Sequence, residues 1–162
     1  MVYPALDFLL GVCSRLAFLS DGLVADPISQ RYLLPDEVFH SNRVDIRIDA
    51  RDHISVRFQT RSDGVHAFTL GMQKFALPEY EITGLFEIDK DAANHFLLLI
   101  AQTTLLGDLT LQGSQYGSLK APFEARTGGF DRALWDGIDV FELLPPTSLT
   151  ASEALQAWAS EL

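Results

Sequence analysis

At the amino end of the chain, apolar residues recur at steps of three and four. Leu6, Leu9, Leu10, Cys13, Leu16 and Ala17 fall on one side of a helical wheel. The spacing predicts an amphipathic helix over residues 5 to 19, with Gly22 in the left-handed position that ends it. Two short apolar runs then flank Asp26-Pro27, where proline fixes its own φ and disfavours helix at the preceding residue, so a small hairpin is expected. Pro35 to Phe39 reads as one helical turn, with proline first and acids near the positive end of the dipole.

The period changes to two in "VDIRID" and "ISVRFQTR". Val44, Ile46 and Ile48, then Ile54, Val56 and Phe58, point to one face of two half-buried antiparallel strands. Ser62-Asp63-Gly64 ends the second strand. A two-residue Asp63-Gly64 turn would set Phe58 opposite Thr69 and Val56 opposite Gly71. A three-residue loop with Gly64 left-handed sets Phe58 against Phe68, Val56 against Leu70 and Ile54 against Met72. The second register matches apolar with apolar and is the one expected. At Gly71 the returning strand should break, with Met72 and Phe75 folding back over the apolar face. Pro78 then opens a strand with Tyr80 and Ile82 inward and Glu79 and Glu81 outward.

Asp89 or Asp91 caps a long helix whose buried face is Ala93, Phe96, Leu97, Ile100, Ala101 and Leu105, and Gly107 stops it. Residues 109 to 137 are irregular, with one strand near Leu119 to Ala125. "IDVFELL" is a last strand, and Thr150-Ala-Ser-Glu153 matches a capping box opening a terminal helix with Ala154, Leu155, Trp158 and Leu162 on its face. The pattern as a whole predicts one α+β domain over residues 1 to 162. Its antiparallel, mostly meandering sheet of about six or seven strands carries the 89 to 106 helix, with further helices at both ends.

Composition sharpens this. Hydrophobic residues are 48% and charged residues 21% of the 162, a globular balance. Twenty-two acids against twelve bases give a net charge of -10, which disfavours phosphate backbones and anionic membrane surfaces. The amino-terminal apolar run lacks a positive leader, carries Asp7 and Arg15, and is too short to span a bilayer. A cytoplasmic chain is expected. Cys13, the single cysteine, can form no internal disulfide and should be buried on the sheet side of the first helix, inert.

The order of helix, hairpin, strand pair, "TLGMQKFALPEYEI" and long helix resembles bacterial domain-of-unknown-function family number 4261, in which a Gly-Met-x-x-Phe-Gly-x-Pro-Glu-type segment precedes a strand and a helix. The matching residues are Gly71, Met72, Phe75, Pro78 and Glu79, and Ala76 stands where that pattern has glycine. The resemblance implies the fold and supplies no catalytic residue.

Candidate chemistry is sparse. His40, His53, His66 and His95 form no metal-ligand spacing and read as lone histidines on exposed edges or helix faces. No nucleophile elbow is present. The glycines of "GSQYGS" and "TGGF" belong to loops without a Walker lysine. Glu79 and Glu81 share one strand face on the order of 6.5 Å apart, just inside the separation of an inverting glycosidase. Neighbours on one strand do not face each other across a cleft, so a solvated face is the stronger reading, as it is for Asp45, Arg47 and Asp49. No catalytic residue, metal or cofactor is therefore assigned. The expected function is a non-catalytic protein-interaction module whose partner is another protein, with Glu79 and Glu81 as candidate contacts. The alternatives are an acidic immunity-type protein neutralising a basic toxin and a small hydrolase using the same two glutamates.

Overall fold

In the computed structural model, which describes residues 4–38 and 48–162, the amino-terminal pattern folds as α1 (Pro4–Ser20). Its left-handed terminal residue is Asp21, φ 53°, rather than Gly22, whose N–H donates to Ala17 O at 2.8 Å. The expected hairpin is present as β1 (Val24–Asp26) paired with β2 (Arg31–Leu33). At Pro35 the expected helical turn is a hydrogen-bonded turn instead, closed by Glu37 N–H to Leu34 O at 3.0 Å and by Leu34 N–H to the Glu37 carboxyl at 2.7 Å. The strand expected over 44 to 49 lies largely outside the described residues, as do Phe39 and His40. Of that run, Ile48 is buried in the main core, and Asp49 caps a four-residue helix, α2 (Ala50–His53), by accepting from Arg51 N.

The main sheet contains β3 (Ser55–Arg61), β4 (Gly64–Leu70), β5 (Glu79–Leu85), β6 (Gln115–Ser118), β7 (Ala121–Thr127) and β8 (Val140–Leu144), in the spatial order β3-β4-β5-β8-β7-β6. It is mixed rather than a meander. Between β5 and β8 the chain runs through α3 (Lys90–Leu105) and the β6–β7 hairpin, so β8 returns parallel to β5 with Tyr80 opposite Phe141. The strand expected near Leu119 to Ala125 is β7, shifted by two residues. Its partner β6 comes from "QYGS", expected to be loop, and Leu119 is 98% exposed between the two strands.

The β3–β4 register differs from both alternatives. Arg61 pairs with Gly64 around a two-residue Ser62-Asp63 loop, which places Phe58 opposite Ala67 and Val56 opposite Thr69. Gly64 has a positive φ, as expected, but a further constraint holds it: a Cβ there would lie 2.8 Å from Leu85 O. Matching apolar with apolar assumed a sheet covered on one side. This sheet is covered on both. Val65, Ala67, Tyr80, Ile82, Phe123, Ala125, Phe141 and Leu143 form one core with α3 and α4 (Ala151–Ala159), while Phe68, Leu70 and Val140 pack on the opposite face against Trp135.

All six residues expected on the buried side of α3 are buried, and the Thr150–Glu153 capping box opens α4. Leu162 lies past the end of that helix and is exposed. α1 departs further from expectation. Leu6, Leu10, Cys13 and Ala17 face inward, but Leu9 and Leu16 point to solvent. Cys13 is only half-buried, packed against the small cluster of Ala17, Val24, Leu33 and Val38 over the hairpin instead of the main sheet.

Candidate functional site

The corner Gly71 to Glu79 positions the first of the two glutamates. Gly71 turns with φ 130°, and a Cβ there would meet His53 O at 2.5 Å, so the break needs glycine. Met72–Phe75 form a 3-10 turn with both end residues buried, and Ala76 follows in the left-handed conformation, φ 54°, ψ 39°. Lys74 reaches back to Asp26 at 2.6 Å and to His53 O, which ties the corner to the hairpin. Burial lowers the Lys74 ammonium from its ordinary value, an effect that the Asp26 carboxyl opposes.

Glu79 is 1% exposed and closes this corner from inside. Its carboxyl accepts from Gly71 N at 2.8 Å, from Gln73 N at 3.4 Å and from Thr69 Oγ1 at 2.7 Å. Burial pushes its pKa up, and these donors pull it part of the way back. Glu81, 0% exposed, makes a separate cluster. Its Oε2 accepts from Trp135 Nε1 at 2.5 Å and lies 2.7 Å from His66 Nε2, while Phe130 N–H donates to Oε1. His66 is wedged beside Phe68 (ring centroids 4.9 Å) and Phe130 (6.0 Å), and its Nδ1 has no partner among the described residues.

The expected solvated face is therefore absent. Alternation does turn both glutamates away from Tyr80 and Ile82, but the Gly71–Gln73 corner closes over Glu79 and residues 128–139 cover Glu81. Arg61 holds that cover by an ion pair to Asp131 at 2.6 Å and by stacking over Phe130 at 5.2 Å. Gly129 lets the indole of Trp135 sit directly on the backbone, where a Cβ would be 2.1 Å from Cδ1. Sequence reasoning missed this segment, although Phe130, Leu134, Trp135 and Ile138 within an irregular run are the signal of packing. His53 and His66 are likewise buried rather than on exposed edges, and among the described histidines His95 alone sits on an exposed helix face as expected. Burial lowers His53 to about 4.

A cavity of about 840 Å³ opens beside the cover, lined in part by Arg126, Arg132, Trp135, Asp139, Phe141 and Glu142. Glu142 lies across from Glu81 on one side and Arg126 on the other. Its pKa is raised by burial and by Glu81, against the pull of Arg126. Neither Glu79 nor Glu81 lines this cavity, so the pair does not flank a cleft in which a glycosidic bond could lie. Among the described residues no three His, Cys, Asp or Glu side chains are placed to hold a metal, and no helix is long and apolar enough to cross a membrane.

Among the described residues, packing leaves the outer side of α1 open. At about 100° per residue, Phe8, Leu9, Val12, Leu16 and Leu19 fall in an arc of about 100°, centred roughly 120° from the inward line of Leu6, Leu10, Cys13 and Ala17. Their exposures are 74%, 56%, 39%, 61% and 68%. Arg15 stacks over Phe18 at 5.8 Å, beyond the edge of this arc. Compared with protein-family models, with curated proteins and with solved structures, the chain matches none.

Proposed function

We propose that the chain is a non-catalytic protein-interaction module whose contact surface is the outer side of α1. One observation carries this reading: a helix of 17 residues has two apolar sides, and the described residues cover only one of them. Contiguous apolar surface of this kind on a folded chain marks a place where another surface is excluded from water. Glu79 and Glu81, the contacts suggested by alternation, are spent inside the fold and are out of a partner's reach. Membership of family number 4261 belongs to the same proposal. Gly71, Phe75 and Glu79 here make a closed structural corner, and Ala76 holds the left-handed conformation that the glycine of that pattern would favour.

The test is site-specific photocrosslinking in the producing cell, with a photoreactive side chain at position 16 and a control at the exposed position 119. An adduct of one discrete mass at position 16, lost when Leu9→Glu is added, is expected. The same pattern at 16 and 119 would overturn the proposal.

A further inference from the structure

Resting on that reading, we infer that the occupant of the outer side of α1 is the α1 of a second copy of this chain, packed antiparallel about a two-fold axis. Leu9, Val12, Leu16 and Leu19 are spaced three, four and three, the a/d seam of a two-helix coiled coil. Pairing centred between Val12 and Leu16 sets Leu9 against the partner's Leu19 and Val12 against the partner's Leu16, so the seam is complementary to itself.

Charge selects the same occupant. Of the chain's 22 acids, α1 contains only Asp7, and its one base is Arg15. In a molecule of net charge -10 this is a surface whose contacting seam carries no acid, whereas a basic partner would be steered to the acidic surface elsewhere. The seam presents no charge with which to read a foreign helix, and its shape fits itself. The area is sufficient. Scaling the exposures by ordinary side-chain areas gives on the order of 500 Å² of apolar surface per copy, and two copies reach the roughly 1,000 Å² of a small specific interface.

Sedimentation velocity on the purified chain over a micromolar concentration series should show a species of twice the 18.0 kDa chain mass. Leu16→Glu should raise the dimer dissociation constant at least about 100-fold, because the two-fold axis buries two unpaired carboxylates at once. Leu9→Gln, a milder change, should weaken it in the same direction, and Leu119→Glu should leave it unchanged. Circular dichroism of each variant establishes that it is folded. A chain that stays monomeric through concentrations of about 100 µM overturns the inference. So does a dimer that persists in both α1 variants. A monomer whose position-16 adduct has another mass overturns the second copy alone and leaves the interaction module standing. A monomer that co-sediments with phosphatidylcholine vesicles overturns both.

Discussion

α1 and α3 are helices of nearly equal length, 17 and 16 residues, and both carry apolar residues at helical spacing, yet the fold treats them differently. α3 lies across the sheet, and its apolar side is enclosed by strands below and by Trp158 beside Phe96 at 4.7 Å. Among the described residues α1 meets mainly a two-stranded hairpin, with Leu6 alone reaching the main core, and this support is too narrow to cover more than one of its apolar sides. Periodicity reports that a helix is amphipathic. What lies opposite each side is decided by tertiary structure.

The largest effects should come from the covered helix. Phe96→Ala should cost about 3 to 5 kcal/mol in urea unfolding, the range for deleting a buried aromatic, while Leu9→Ala in α1 should stay within about 0.5 kcal/mol. Equal costs would break the contrast between the two helices.

A second contrast sharpens what burial does to polar groups. Glu81 faces two fixed donors, Trp135 Nε1 and Phe130 N–H, and a ring nitrogen, so the amide of Glu81→Gln must turn its own N–H groups toward donors. The expected cost is about 3 kcal/mol. Glu79→Gln keeps an acceptor for Gly71 and Gln73, and the Thr69 hydroxyl can accept the new donor, so its cost should be about 1 kcal/mol or less. The sign of its pH dependence follows from the raised pKa. The folded chain holds the Glu79 proton at pH values where the unfolded chain has released it, so this contribution is full below the ordinary carboxyl value and is lost as pH rises through the raised one. Moving from about pH 4 to about pH 7 should therefore favour Glu79→Gln relative to the parent. The reverse trend would mean that the carboxyl is better solvated than its burial indicates.

Smaller effects probe single residues. Ala76→Gly should stabilise the chain by about 0.5 kcal/mol, since the left-handed strain removed slightly exceeds the entropy lost. His53 works opposite to Glu79. Held at about 4 in the fold, it contributes stability above its unfolded value that is lost as pH falls toward 4, and NMR should show its ring still neutral at about pH 5.5.

Much of the fold was legible because local rules and burial agreed: the face of α3, the hairpin at Asp26-Pro27, the break at Gly71, the buried Met72, Phe75, Tyr80 and Ile82, and the cap at Thr150. The β3–β4 register was not, because Phe68 and Leu70 serve a second covered face that alternation alone cannot distinguish from solvent. The parallel β5–β8 pair depends on a return over more than fifty residues, about which no local pattern carries information. For the same reason Glu79 and Glu81 read as wet. Glu81 is covered by residues 128–139, remote in sequence and irregular in shape, and Glu79 by the Gly71–Gln73 corner folding back over it, neither of which alternation reports.

The central claim is that the outer side of α1 is folded surface and not missing core. Urea unfolding of Leu16→Glu beside the parent, at protein concentrations low enough for both to be monomeric, tests it directly. The account predicts unfolding free energies that agree within about 0.5 kcal/mol, with Leu97→Glu in α3 unfolded under the same conditions. A Leu16→Glu chain that unfolds as readily as Leu97→Glu would contradict it.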